Sequence, residues 1–174
     1  MGNPEHYLSL EPLFKDDGAP HIHFTDDDEA NRMLGEDANA FLIGVVLDQQ
    51  IAATKAFTGP AVLRRRLGHF DPARIAAMPQ DEFITVFREK PAVHRFPASM
   101  GKRVHDACTA ISSEFDNNAA NIWNDHADAK TVMKRLGTIP GIGKTKQSLA
   151  VMLLGRYYGI ELEGWREAAP IDLP

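Results

Sequence analysis

An all-helical fold is the prediction for this chain of 174 residues, and three observations make it. Apolar residues fall at helical spacing along most of the chain, and no stretch alternates apolar and polar residues for long enough to form a convincing strand. Helix-start signals, chiefly Asp ahead of Pro or of an apolar run, recur along it. Glycines stand where several of these helices must stop. A composition that is 44% hydrophobic suits one domain, or two small lobes sharing a core.

The elements follow in order. Thr25-Asp26-Asp27-Asp28 reads as a capping box with Asp in the Glu position, opening a helix over 29–34 that Gly35 stops. Asp37 or Asn39 caps the next helix. Its stretch FLIGVVL (41–47) is apolar on every side, which predicts burial, and it runs on into Asp48-Gln49-Gln50-Ile51. Gly59-Pro60 predicts the start of a further helix ending near Gly68. Asp71-Pro72 combines an N-cap with Pro at the first helical position. Pro79-Gln80-Asp81 restarts the pattern toward Phe83, Val86 and Phe87. Phe96-Pro97 introduces a long helix through Val104, Cys108 and Ile111 to Phe115. Asn117-Asn118 marks a turn, and Trp123 closes a short segment. Val132, Met133 and Leu136 form one face of a helix that ends at Gly137, and a last helix runs from Lys144 to Tyr157.

Composition excludes several classes. No apolar run is long enough to span a bilayer, and MGNPEHYLSL lacks a basic region followed by an apolar core, so a membrane partner and a secretory route are not expected. One cysteine, Cys108, rules out an internal disulfide, a four-cysteine zinc site and an iron–sulfur cluster, and the cytoplasm is the expected compartment. The histidines form no metal-ligand spacing; His21 and His23 lack a third partner nearby. Net charge is −5, but it is unevenly spread: residues 1–40 hold ten acids and two bases, so the remainder carries +3. Basic residues gather at Arg64-Arg65-Arg66, between Arg88 and Arg95, and at Lys102-Arg103. A basic surface behind an acidic N-terminal segment is the expectation.

The stretch TIPGIGKTKQSLAVM, beginning at Thr138, carries the most specific signal. Pro140 fixes φ and offers no donor. Gly141 and Gly143 allow positive φ and close approach of another backbone. The first amides of the following helix lack intrahelical acceptors and carry the positive end of its dipole. Lys144 and Lys146 add charge, so the turn predicts an anion site, with Ile139 and Ile142 pinning it to the core. It is not a P-loop, because that spacing fails and no strand precedes it.

TIPGIGKTKQSLAVMLLG resembles the hairpin of the helix-hairpin-helix DNA glycosylase superfamily (HhH-GPD), which includes endonuclease III. FLIGVVLDQQIAATKAF resembles that superfamily's first core helix and its glutamine-bearing loop, and AVHRFPASMGKRV is similar to a small bacterial branch of it. The match extends from about Phe41 to Gly159. The resemblance implies a two-lobed helical fold, with an acidic segment at 1–36 joining the second lobe and a glycosylase-like domain at 37–174 bearing a hairpin at 129–157. It implies a base-excision enzyme of the nucleoid-associated cytoplasm, acting as a monomer on double-stranded DNA with a damaged base. Amides near Gly141, Gly143 and Thr145, with Lys144 and Lys146, would hold a phosphate. Gln50 would fill the gap left by a flipped nucleotide. Backbone carbonyls of Gly137, Ile139 and Ile142 match positions that hold a monovalent cation in relatives; no other cofactor is expected.

The chain departs from the pattern at its chemistry. Where bifunctional relatives carry a nucleophilic lysine stands Thr145, flanked by Lys144 and Lys146. Lys146 remains a candidate nucleophile, but one residue turns a helix by about 100°, so a monofunctional hydrolase is favoured. The carboxylate expected after the second hairpin helix has one match, Asp172, read either as the catalytic acid on a longer loop or as a tail residue, with Asp48 in reserve. Val45 stands where adenine-mismatch relatives carry glutamate. A non-catalytic DNA-binding module is the alternative. Trp123, Trp165, Tyr157 and Tyr158 are either stacking residues or core.

Overall fold

The structure is a computed structural model that describes residues 4–15, 18 and 20–169; Asp172 lies outside the described residues. These residues form ten α-helices, a 3₁₀ helix at Ala119–Ile122 and one short antiparallel ladder. The helices are α1 (Pro4–Leu8), α2 (Asp28–Glu36), α3 (Ala38–Leu47), α4 (Ala53–Leu67), α5 (Pro72–Ala77), α6 (Gln80–Arg88), α7 (Pro97–Glu114), α8 (Ala129–Leu136), α9 (Lys144–Tyr157) and α10 (Trp165–Ala168). The ladder pairs β1 (Leu13–Phe14) with β2 (Pro20–His21), two residues each, too short to leave an alternating pattern in the sequence.

Local chemistry sets most boundaries. The Asp71 carboxylate accepts from the Ala73 amide and opens α5, and Gly68 ends α4 in the left-handed region at φ 78. Asp37 serves two helices: its amide closes α2 on the Met33 carbonyl, and its carboxylate accepts from the Asn39 and Ala40 amides to open α3. That closure carries α2 past Gly35, which does not stop it. Asp27, not Thr25, caps α2, accepting from the Ala30 amide; the Thr25 hydroxyl bonds the Asp27 carbonyl and the Asn31 side chain instead. Gly59-Pro60 lies inside α4 rather than at its start. A proline there removes one backbone bond, and the buried face of Ala56, Phe57, Ala61 and Leu63 keeps the helix whole.

The helices form two packed groups that share α3. On one side α5 and α6 each pack on α7, and α7 packs on α3. On the other, α8 and α10 pack on α9, which also meets α3. This is the two-lobed arrangement expected. Phe41, Leu42, Ile43, Val45, Val46 and Leu47 of α3 are fully buried in one continuous apolar core. The N-terminal segment joins the α9 side: the Tyr157 hydroxyl donates to the Tyr7 and Leu10 carbonyls, and the Tyr158 hydroxyl to the Leu34 carbonyl. Tyr157, Trp123 and Trp165 are buried, and Tyr158 is packed against the same core, so all four aromatic candidates are core residues. Cys108 is buried too, and burial pushes its thiol pKa up, away from reactivity.

Candidate functional site

The two helices of the hairpin begin differently. The Asp128 carboxylate accepts from the Thr131 amide and caps α8. Gly143 precedes α9, and no side chain caps that helix. Its first intrahelical bond runs from the Gln147 amide to the Gly143 carbonyl. The amides of Lys144, Thr145 and Lys146 therefore open the helix with its positive pole exposed. Gly143, Lys144 and Thr145 are exposed, while Ile139 and Ile142 are buried and anchor the turn between them. Burying each isoleucine stabilises that anchorage by roughly 1.5–3 kcal/mol.

The two turn glycines have separate tasks. Gly141 has φ +89, and a Cβ there would come within 3.1 Å of Val46 and 3.7 Å of the Arg103 stem. It is required by the backbone and by close packing. Gly143 has φ −80, open to any residue, and a Cβ would meet nothing within 4 Å. Glycine there leaves the mouth of the α9 amides uncovered.

Those amides face a cleft of about 650 Å³, lined by residues 137–146 with Gln49 and Arg103. The lining holds Arg103, Lys144 and Lys146 and, among the described residues, no carboxylate. Lys146 forms the floor. It is 7% exposed, and its Nζ donates to the Val46 carbonyl (2.6 Å) and to Gln49 Oε1 (3.2 Å). The ammonium thus sits on the C-terminal end of α3, where the helix dipole favours a cation. Burial and, after it, neighbouring Arg103 lower its pKa to about 8, with Asp48 opposing both. Arg103 Nη1 donates to the same Gln49 oxygen at 2.9 Å.

His94 holds the loop that carries Gln49. It is fully buried, its Nε2 lies 2.9 Å from the Gln49 carbonyl, and its Nδ1 accepts from the Phe96 amide. The tautomer is therefore Nε2–H. Burial pushes its pKa down and keeps the ring neutral.

The predicted residues separate on this frame. Gly141, Gly143, Lys144, Thr145 and Lys146 come together in the cleft lining, as do Gly137, Ile139 and Ile142. The Ile139 carbonyl already accepts from the Ile142 amide, and the Ile142 carbonyl from Gln147 Nε2 at 3.4 Å. Gln50 is exposed at φ 57 and is not among the lining residues; Gln49 takes that place. Asp48 is fully buried and accepts from the Tyr7 hydroxyl at 3.3 Å, and Val45 is core. His21 and His23 are exposed, and no cluster of three metal-ligating side chains occurs among the described residues.

Gln49, Arg103 and His94 are the residues that the sequence did not single out. Their contacts span 54 and 45 positions, beyond any local pattern. The signals were the stretches DQQ and AVHRFPASMGKRV, which contain them without marking their role, and the Lys102-Arg103 pair, which the fold splits: Lys102 bonds Asp106 at 2.6 Å, and Arg103 enters the cleft.

Comparison with known proteins gives a likeness in fold. The solved structure of a trapped endonuclease III–DNA covalent intermediate, an estranged-adenine complex, superposes with a TM-score of 0.47 at 19% identity. The match covers 76% of this chain and 57% of that one, so the chain spans little more than half the neighbour's length. No protein-family model matches the chain, and neither does any curated protein.

Proposed function

We propose that this chain binds double-stranded DNA through its hairpin and excises a damaged base. The uncapped first turn of α9, opening on a cationic cleft with no carboxylate among the described residues, carries this reading. A backbone phosphate accepts from the Lys144, Thr145 and Lys146 amides, with the helix dipole and the Lys144 ammonium opposing its charge. The sequence likeness of residues 138–155 to glycosylase hairpins supplies the second step. The base is flipped out of the stack, and water displaces it at the sugar carbon. Asp172 is the proposed acid, and the carbonyls of Gly137, Ile139 and Ile142 are the proposed seat of a monovalent cation that would sit beside the phosphate. The protein acts as a monomer on nucleoid DNA in this reading.

Lys146 has the lowered pKa that an amine nucleophile needs. Its bonds to Val46 and Gln49 commit it to the floor instead, so hydrolysis without strand cleavage is the expected outcome. A second reading, a DNA-binding module without chemistry, is favoured by the burial of Asp48 and by a lining that holds no carboxylate among the described residues.

The test is base release from labelled duplexes bearing uracil, hypoxanthine, 3-methyladenine, 8-oxoguanine or thymine glycol. Strand breaks appearing only after alkali establish the monofunctional enzyme and name its lesion. Breaks without alkali return Lys146 to the role of nucleophile. Binding with no release from any duplex establishes the module.

A further inference from the structure

We propose that Arg103, with the Gln49 carboxamide beside it, is a second anion anchor in the cleft, holding a phosphodiester oxygen of the strand that the hairpin grips. The proposal rests on the DNA-binding reading above.

The orientation of Gln49 is the first step. Its Oε1 accepts from two cations at once, Arg103 and Lys146. The opposite amide orientation would turn N–H groups onto both cations, so the carboxamide has one orientation. Its Nε2 then carries two donors away from the cations, and no acceptor for them occurs among the described hydrogen bonds. Lys146 is itself fixed by the Val46 carbonyl, so the arrangement is tied to the end of α3.

Arg103 is the second step. Its stem packs beside Gly141 and its Nη1 is held by Gln49. One of its five N–H groups is spent there, with a long contact to Met100 Sδ at 3.9 Å. It makes no ion pair among the described residues, unlike Lys102 one position before it. The guanidinium is half-buried and lines the cleft beside the turn. A planar fork held at one corner, next to two amide donors, matches the oxygens of a phosphodiester. The cleft's volume lies within the roughly 300–1,000 Å³ of ligand-holding clefts, so it accommodates more than the single phosphate at the α9 amides.

A purely structural role is the rival, in which Arg103 does no more than clamp Gln49. The two roles differ in salt dependence. Binding of the full chain to a fluorescent duplex is measured by anisotropy over a range of salt concentrations. The slope of log affinity against log salt should shrink by about one for Arg103→Gln, with affinity lower by roughly tenfold. Arg103→Lys should keep the slope and lose part of the affinity. Gln49→Glu satisfies both cations while neutralising the anchor, and should also shrink the slope; it reads the same contact if Arg103→Gln fails to fold. Wild-type slope and affinity in folded Arg103→Gln or Gln49→Glu overturn the anchor while leaving the hairpin grip in place. No binding by the wild type at low salt overturns both.

Discussion

Two basic clusters, one contiguous in the sequence and one assembled by the fold, end differently. Arg64-Arg65-Arg66 is the denser. The acidic N-terminal segment folds back onto it: Arg65 pairs with Asp27 and Glu29, and Arg64 with Glu29. Arg66 donates to the Val86 and Pro91 carbonyls. The second cluster, Arg103 with Lys144 and Lys146, is assembled from α7 and α9 and shares its cleft with no carboxylate among the described residues. Charge density along the chain therefore does not mark the binding face. What marks it is where the fold withholds counter-charge, and the acidic segment supplies counter-charge to one cluster alone.

The strongest way to break this contrast is to give the cleft a carboxylate of its own. Gly143→Asp does so at a backbone conformation and in a space that accept a side chain. The new carboxylate should cap α9 as Asp128 caps α8, raising stability by a few tenths of a kcal/mol. It should also occupy the amides and repel phosphate, lowering DNA affinity by at least about tenfold, the effect of losing one charge-assisted contact. Unchanged binding in a folded Gly143→Asp protein would remove the hairpin from the interface. Gly141→Val separates the neighbouring glycine. Its φ of +89 and the nearby Val46 make the variant strained, and unfolding in urea should show a loss of about 2–4 kcal/mol. Stability falls at Gly141 and affinity at Gly143, two residues apart.

The sequence shows these two regions unequally. Asp37, Asp71 and Gly68 act as local chemistry says, and the hairpin boundaries at Gly137 and Lys144 are legible because glycine, proline and helix-start rules act over a few residues. Thr25 misleads because Asp27 competes for the same cap, and Pro60 because packing on α3 outweighs one missing backbone bond. The floor of the cleft is illegible for another reason. Gln49 and Gln50 are adjacent, and the positive φ of Gln50 decides which one enters it. The contacts of Gln49 with Arg103 and Lys146 span 54 and 97 positions.

Lys146 sharpens the comparison through pH. The buried ammonium has its pKa lowered to about 8, below the ordinary lysine value of 10.5. The native state therefore releases this proton first, and the unfolded state holds more protons between those values. Stability should rise with pH from about 8 toward 10.5, and below pH 8 the full cost of burying the charge is present. Set against Lys146→Met, which lacks this titration, the wild type should gain on the order of 3 kcal/mol across that interval. DNA affinity should fall over the same interval as the cleft loses a positive charge. A pH-independent difference in stability between the two proteins would mean that the ammonium is not desolvated.

The smallest effect lies at the other cluster. Replacing Asp27 with Asn and Glu29 with Gln removes the counter-charge from Arg64 and Arg65 while keeping side-chain shape. Exposed ion pairs contribute little to folding, so Tm should barely move. The contrast itself should weaken: a second cationic face appears, and DNA binding at low salt should tighten slightly, an increment that disappears as salt rises. The same substitutions in a Gly143→Asp background should restore none of the lost affinity at moderate salt. Exposed arginines attract the duplex from a distance, but they lack the uncovered amides and the fixed fork that give the cleft its grip. If they did restore it, net charge rather than the geometry of the cleft would govern binding.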